Sequence, residues 1–455
     1  MAKDLSPPPG DRREEPEAAG RAARWRRIIL ANLLFGYVGY YICRSNLSVV
    51  TPLLLDEFGP YGVTKTTIGA ISSLGVGLYA IGKITNGLSA DLLGGRRLFL
   101  IGAFGSVVCT VLFGLVPGMA MFAAFYVIWA ANRYLQSMGW VGMVNVTSRW
   151  YPVAQHGTIM GILSMSYLAG DAFARWFLGQ AIVSGASWRG VFFIAAATLG
   201  AIAVANLFVV RGKPSEVGLE EPDANPRSLY DEEPDEALPR LPLRRLLAPA
   251  LTSFTFWLIC TMNFGLTLVR ETFNTWNPTY LNEMTGLDAG QAAIGSLLFP
   301  AVGAISALLA GLVTDRLSGR HGRVIVPCLI GLVVMLVMLG LVDVDGRPTT
   351  ALVLICGASF FLIAPYSFYS GVMALDLGGK RGAATIAGLS DSAGYAGGMV
   401  SGIGIGALAE HYSWAVAFLA LAGVVLLTLC VAVVYWVRQE RSEDERATRE
   451  GADVA

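Results

Sequence analysis

The sequence predicts an all-α membrane protein with twelve transmembrane helices, and three observations support this fold class. Among its 455 residues, 54% are hydrophobic and 15% are charged, whereas soluble domains carry roughly 25% charged residues. Apolar runs of about 20 residues, the length that crosses a bilayer, recur along the chain. The 53 glycines follow no collagen-like period and suit close helix packing in lipid. This composition excludes both a soluble multidomain protein and a disordered one.

Twelve apolar runs have the length of transmembrane spans, and a charged linker divides them into two sets of six. The predicted spans cover residues 28–50, 66–90, 98–116, 120–147, 157–183, 188–210, 251–282, 291–313, 323–341, 350–376, 384–408 and 413–437. The linker, 211–250, holds seven prolines, nine acidic and six basic residues, which disfavours a packed core. We therefore predict a bundle at 28–210 and another at 251–437, with tails at 1–27 and 438–455.

The basic residues predict the orientation of these spans. If the N-terminus is cytoplasmic, 25 of the 33 Lys and Arg residues fall on the cytoplasmic side. Only Lys65, Arg189 and Arg347 fall on the other side. The positive-inside rule then places both termini in the cytoplasm. We expect a multi-pass protein of the plasma membrane, which is the inner membrane if the source is Gram-negative.

The remaining charges lie at membrane depth. They comprise five bases and three acids: Arg44, Lys83, Arg133, Arg175, Arg270, Asp171, Glu271 and Asp391. A basic side chain at mid-bilayer costs roughly 2.5–3.5 kcal/mol even on the lenient insertion scale. Such groups must therefore face a polar cavity or each other, and the excess of two positive charges suits an anionic ligand.

The two halves of the chain repeat each other, which predicts pseudo-symmetric bundles. A Gly-x-x-x-Asp-x-x-x-Gly-Arg pattern follows spans two and eight, and its members recur at one constant offset: Gly87, Asp91 and Arg96 against Gly311, Asp315 and Arg320. Ser187-Trp188 recurs as Ser413-Trp414 after nearly the same number of residues. The number of residues between Trp188 and Trp414 also separates Arg44 from Arg270. Many transporters use such halves for alternating access, rocking two bundles around a site at the midplane.

Spans one and seven each carry a polar face that includes an arginine. The faces comprise Tyr37, Tyr40, Tyr41, Arg44 and Ser48 in span one, and Thr267, Arg270, Asn274 and Asn277 in span seven. The two arginines can converge on one ligand, because the guanidinium fork suits phosphate or carboxylate. Lys83, one turn after Tyr79, adds a point charge. Alternatively, the arginines snorkel or pair with Asp391 and Glu271.

The repeated pattern resembles the signature loop of the major facilitator superfamily, where it has a gating role. The segment Gly-Tyr-x-x-Tyr-Tyr-x-x-Arg44-x-Asn-x-Ser resembles the first helix of the organophosphate:phosphate antiporter family, as do Gln136–Trp140 and Trp276–Tyr280. The resemblance implies a major facilitator fold and exchange of a phosphate ester for inorganic phosphate. It places the family's substrate residues on Arg44, Arg270, Lys83, Tyr37, Tyr41, Tyr79 and Trp140. We add Asn274, one turn after Arg270.

The chain also departs from the family pattern. Arg133, Asp171, Arg175 and Asp391 stand where we expect small or uncharged residues, and an expected acid is absent from span eight. Asp171 and Arg175 are spaced i, i+4, which suits an ion pair. With Glu271, these residues form either a buried charge network or a coupling site. In the second case, Asp171 or Asp391 meets a substrate amine or carries a proton.

These features predict a secondary transporter of a small organic anion, most directly a phosphate ester or phosphonate. A proton- or sodium-coupled carboxylate symporter and a non-transporting sugar-phosphate sensor are the alternatives. We expect no enzyme activity, cofactor or metal site, because no nucleotide loop or metal-ligand cluster is evident in the sequence. The expected partners are the anion, inorganic phosphate and the lipid bilayer, without nucleic acid, and we expect a monomer.

Overall fold

A computed structural model describes residues 11–118, 122–152, 155–222, 251–317, 321–369 and 372–453. The described residues are almost entirely helical, with short 3₁₀ turns at Gly59–Tyr61 and Pro214–Val217. This confirms the predicted all-α fold with twelve spans. Residues 223–250, the larger part of the predicted linker, lie outside the described residues.

Six helices form the first half of the chain. They are α1 (Asp11–Phe58), α2 (Lys65–Leu93), α3 (Gly95–Leu115), α4 (Ala123–Trp150), α5 (His156–Val183) and α6 (Trp188–Val209). Tight turns connect them: Gly94, just before α3, has φ +78°, a left-handed conformation that glycine adopts readily. Helix α1 begins well before the predicted first span, so part of the predicted N-terminal tail is helical.

The second half repeats this arrangement. Its helices are α7 (Phe254–Thr285), α8a (Ala289–Ser296), α8b (Leu298–Arg316), α9 (Gly322–Leu341), α10 (Pro348–Tyr369), α11 (Val372–His411) and α12 (Trp414–Asp453). The predicted eighth span is thus broken at Leu297, a feature that its uniform hydrophobicity did not indicate. Helix α12 continues through much of the predicted C-terminal tail.

Hydrophobicity separates these helices into two groups. Among the described residues, eight spans are long and apolar enough to cross a membrane by length and composition. The other four helices, α4, α5, α7 and α11, each carry ionised residues of the cavity described below. Their lower hydropathy reflects a polar face that is shielded from lipid by the rest of the bundle.

The predicted internal repeat is visible in matching side-chain contacts. Trp188 Nε1 donates to Glu57 Oε2 over 2.7 Å, and Trp414 Nε1 donates to Glu283 Oε2 over the same distance. Glu283 follows Glu57 by the same number of residues by which Trp414 follows Trp188. The serine before each tryptophan accepts a hydrogen bond from a backbone N–H in the first turn of its helix, as N-cap residues do.

The two halves meet most closely through two related helix pairs, α2 with α11 and α5 with α8a. A Cβ atom on Gly402 of α11 would lie 2.5 Å from the carbonyl oxygen of Gly69 in α2. A Cβ atom on Gly179 of α5 would lie 3.0 Å from the carbonyl oxygen of Gly290 in α8a. Only glycine permits backbones to approach this closely, so the halves are sealed together near these positions.

Candidate functional site

A cavity of about 720 Å³ lies between the two bundles. It is lined by all of the residues that the sequence assigned to substrate binding or to a charge network: Tyr37, Tyr41, Arg44, Tyr79, Lys83, Arg133, Trp140, Asp171, Arg175, Arg270, Glu271, Asn274 and Asp391. Both halves contribute, because most of the two predicted polar faces lines the same space. Three members of those faces do not line it: Tyr40, Thr267 and Asn277. The cavity is large enough for a small organic ligand.

Hydrogen bonds between the bundles close one end of the cavity, which we call the floor. Ser48 Oγ donates to the carbonyl of Thr275 over 2.8 Å. Arg175 Nη2 donates to the carbonyl of Asn274 over 2.9 Å, and its Nη1 donates to Ser296 Oγ over 3.1 Å. The floor lies toward the face opposite the termini.

Further contacts seal that opposite face. Lys65 Nζ lies 2.8 Å from Glu283 Oε2, which joins α2 to α7. Glu410, at the end of α11, accepts hydrogen bonds from the backbone N–H and the hydroxyl of Thr66, at 2.8 and 2.6 Å. A carboxylate of one bundle thereby caps the N-terminus of a helix in the other. These bonds must break before the cavity can open on this face.

Fewer described contacts join the two bundles toward the face that carries the termini, where Lys83 pairs with Asp391 and Tyr79 contacts Tyr395. Gly87 of α2, Gly311 of α8b and Gly388 of α11 lie toward this face, and a Cβ atom at each would meet nothing within 4 Å. At these three positions of the described residues, no backbone of the other bundle approaches as closely as at Gly402 or Gly179.

Arg44 is held in place by uncharged partners. Its Nε donates to Gln136 Oε1 over 3.1 Å, and its Nη1 donates to the hydroxyl of Tyr41 over 3.0 Å. Its guanidinium carbon lies 4.4 Å from the ring centroid of Tyr79. Nη2 is buried without a hydrogen-bond partner. Arg44 makes no ion pair within the described part of the chain, so its charge is available to a ligand.

Arg270 is held differently, because its own neighbour is an acid. Its Nη1 donates to Glu271 Oε1 over 3.0 Å and to the hydroxyl of Tyr366 over 3.2 Å. Asn274 Nδ2 also donates to Glu271 Oε1, over 3.1 Å. The sequence left open whether Arg270 contacts a ligand or pairs with an acid. In this structure, Arg270 pairs with Glu271.

The two remaining carboxylates of the cavity are paired as well. Lys83 Nζ lies 3.4 Å from Asp391 Oδ2, and this pair links α2 to α11. Arg175 Nε lies 3.1 Å from Asp171 Oδ2, the pairing that the i, i+4 pattern predicted. Ser45 Oγ donates to the other oxygen of Asp171 over 2.5 Å. Arg175 is only 1% exposed, so this pair belongs to the interior.

Aromatic rings form much of the remaining wall. Tyr37 lies between Tyr41 and Trp140, with ring centroids 5.5 and 5.7 Å away. Tyr79 contacts Tyr395 edge-on at 5.5 Å across the bundle interface. Such rings are rigid and place hydroxyl donors along an otherwise apolar wall.

Several residues of the site were not among the predicted site residues, and four of them contact Arg44, Arg270 or Lys83. They are Gln136, Tyr167, Tyr366 and Tyr395. Three of them carry a helical-spacing signal that could have found them. Tyr167 lies one turn before Asp171, Tyr395 lies one turn after Asp391, and Gln136 lies between Arg133 and Trp140 on one face of α4.

The repeated signature pattern is described only in part. Arg320 lies outside the described residues, and the side chains of Asp91 and Asp315 are not described. Arg96 donates to the carbonyl oxygens of Val210 and Leu207, at 2.6 and 2.7 Å. It therefore binds the C-terminal carbonyls of α6, as basic residues often do. Its gating role stays a prediction.

Comparison with known proteins agrees with this fold. The family model of the Major Facilitator Superfamily matches residues 33–401. A probable hexose phosphate transport protein of Chlamydia trachomatis is 28% identical, over 92% of each chain. The glycerol-3-phosphate transporter of Bacillus subtilis is 24% identical, over 92% of this chain and 94% of its own. A membrane sensor protein, UhpC of Salmonella typhimurium, is 23% identical over 90% of this chain and 91% of its own.

A solved structure shares the fold. A bacterial homologue of the human lysosomal transporter Spinster, in an inward-facing and unoccupied conformation, superposes with a TM-score of 0.70 at 15% identity, over 91% of this chain and 96% of that one. The relatives confirm the resemblance to the organophosphate:phosphate antiporter family. Fold and relatives are those of membrane transporters rather than enzymes.

Proposed function

We propose, on the premise that this chain belongs to the major facilitator superfamily, that it exchanges a phosphate ester or phosphonate for inorganic phosphate. The observation that carries this proposal is the charge of the cavity. Five bases and three carboxylates line it, which leaves two positive charges for a ligand. A phosphate ester or phosphonate brings two negative charges near neutral pH. The names of the hexose phosphate and glycerol-3-phosphate transport relatives support the same class.

In this proposal, Arg44 and Arg270 bind the anion from the two bundles, and Lys83 adds a third positive charge. Arg44 offers the ligand its unpartnered Nη2. Arg270 exchanges Glu271 for the anion, which draws the second bundle toward the first. Tyr37, Tyr41, Tyr79, Trp140 and Asn274 shape the site around the head group. The binding energy then drives the rocking of the bundles that opens the floor.

We further propose that the termini lie in the cytoplasm, as the positive-inside rule predicts. The face with fewer described contacts between the bundles is then cytoplasmic, and the sealed face is extracellular or periplasmic. Inorganic phosphate leaving the cell would return the carrier for the next exchange. The unit of transport is proposed to be one chain, since both halves of the site come from the same polypeptide.

Counterflow in proteoliposomes tests this function. Vesicles loaded with inorganic phosphate should take up labelled phosphate, and added phosphate esters or phosphonates should compete. Arg44→Lys and Arg270→Lys should each abolish exchange, because lysine lacks the bidentate fork. Arg149→Lys is the matched control: Arg149 lies on α4, is exposed and does not line the cavity.

Other outcomes would point elsewhere. Uptake that follows an imposed proton or sodium gradient and ignores internal phosphate would indicate the symporter. Saturable binding of a sugar phosphate without any flux would indicate a sensor. Normal exchange by both arginine variants would overturn the assignment of these two residues.

A further inference from the structure

The charges of the cavity divide into paired and unpaired groups. Each carboxylate that lines it has a basic partner: Asp391 has Lys83, Asp171 has Arg175, and Glu271 has Arg270. Among the described lining residues, two bases are left without a carboxylate, Arg44 and Arg133. The two surplus charges thus belong to two particular side chains, and both lie in the first bundle.

These two arginines adjoin one tyrosine. The guanidinium carbon of Arg44 lies 4.4 Å from the centroid of Tyr79, and that of Arg133 lies 5.0 Å from it. Both distances are within the range of a cation–π contact. A glycine makes room for the second arginine, since a Cβ atom on Gly75 would lie 2.9 Å from Arg133 Cγ. The positions of α1, α2 and α4 therefore bring both charges to the same wall.

Burial makes an unpaired Arg133 expensive. The residue is 7% exposed, and a buried charge without a partner is strongly unfavourable. One aromatic ring offsets only about 0.5–2 kcal/mol. The cost is compensated if a ligand brings the missing negative charge. Two cations that contact one tyrosine, neither of them paired with a described carboxylate, match a head group that carries two charges.

We propose that Arg133 is a substrate-binding residue, and that Arg44 and Arg133 together hold the doubly charged head group beside Tyr79. The assignment deepens the proposed function and rests on it. It makes Arg133 a determinant of charge selectivity: the site distinguishes a dianion, such as a phosphate ester or phosphonate, from a monoanion of the same shape. Arg270, which is paired with Glu271 in this structure, then exchanges Glu271 for the bound anion and so couples the second bundle to the occupied site.

Two small anions of nearly equal shape test this selectivity. Methylphosphonate is doubly charged above its second pKa, whereas methanesulfonate carries one charge at any such pH. Each competes with labelled inorganic phosphate for the purified full-length protein. Wild type should bind methylphosphonate far more tightly. Arg133→Gln should weaken the binding of methylphosphonate by about 10- to 100-fold, which is the effect of a lost charge-assisted hydrogen bond. The same change should weaken the binding of methanesulfonate by no more than about threefold.

Two more variants complete the design. Arg133→Lys keeps the charge and should recover part of the preference for methylphosphonate. Arg149→Gln, on the exposed face of the same helix, should behave as wild type. If Arg133→Gln lost affinity for both anions to the same extent, the role of Arg133 would be merely structural and the proposal would be overturned. Unchanged selectivity in Arg133→Gln would overturn it as well. If wild type binds neither phosphate nor methylphosphonate, the proposed function itself fails.

Discussion

The two bundles carry equivalent arginines in unequal surroundings. Arg44 of α1 and Arg270 of α7 occupy matching positions of the internal repeat, and the next residue is Ser45 in one half and Glu271 in the other. Glu271 binds its own arginine, while Ser45 binds Asp171 and leaves Arg44 without an acid. The repeat therefore supplies two equivalent arginines, and one neighbouring side chain decides which of them is without an acid partner.

The opposite face shows the same kind of difference. Glu57 and Glu283 are equivalent, and each binds a tryptophan indole. Glu57 also binds Arg189 of its own bundle, whereas Glu283 binds Lys65 of the other bundle. The second half has Ala415 at the position of Arg189, so its glutamate is free to reach across. The symmetric backbone thus produces one contact within a bundle and one between bundles.

The largest effect that we predict contrasts a paired with an unpaired arginine. Arg175→Gln should lower the free energy of unfolding by about 3–5 kcal/mol, because it leaves Asp171 charged and buried without its base. Arg44→Gln removes a charge that has no acid partner, and should change that free energy by about 1 kcal/mol or less. Unfolding of the purified variants measures both values. The double variant Asp171→Asn/Arg175→Gln should recover most of the loss. Equal destabilisation by the two single changes would show that pairing does not distinguish these arginines.

A smaller effect tests the difference at the opposite face. Glu283→Gln removes the ion pair between the bundles. It should raise the fraction of molecules that are open at this face by up to about fivefold, since exposed ion pairs contribute about 0–1 kcal/mol. Glu57→Gln removes a pair within one bundle and should leave the population unchanged. Spin labels at Tyr61 and Tyr412, which are 70% and 72% exposed on this face, report the distance between bundles after the native cysteines are replaced. A shift of the same size in both variants would contradict the role of the Lys65–Glu283 pair in holding the two bundles together at this face.

The fold could be predicted because its signals are local. Span length, hydropathy and the basic loops all lie in contiguous sequence, the internal repeat aligns one half with the other, and helical spacing placed Arg44 and Arg270 on inward faces. The pair Asp171–Arg175 is equally local. The break at Leu297 had no such signal, because the whole span is apolar.

One of the three charge pairs could not be predicted, because its partners are distant in sequence. Lys83 and Asp391 are 308 residues apart, and only the packing of α2 against α11 brings them together. Whether Arg270 takes Glu271 or a ligand depends on rotamers that composition does not encode. The surplus of two charges was evident in the sequence. Its assignment to Arg44 and Arg133 required the three-dimensional arrangement of all eight charged residues.

Phosphate binding to two charge-altered proteins tests most directly the claim that the two surplus charges of the first bundle provide most of the affinity for the dianion. Arg270→Gln/Glu271→Gln removes a matched pair and keeps the two surplus charges, whereas Arg44→Gln removes one of them. Titration of inorganic phosphate should give an affinity within about tenfold of wild type for the double variant, and a loss of about 100-fold or more for Arg44→Gln. Loss of binding in the double variant together with retained binding in Arg44→Gln would contradict the account.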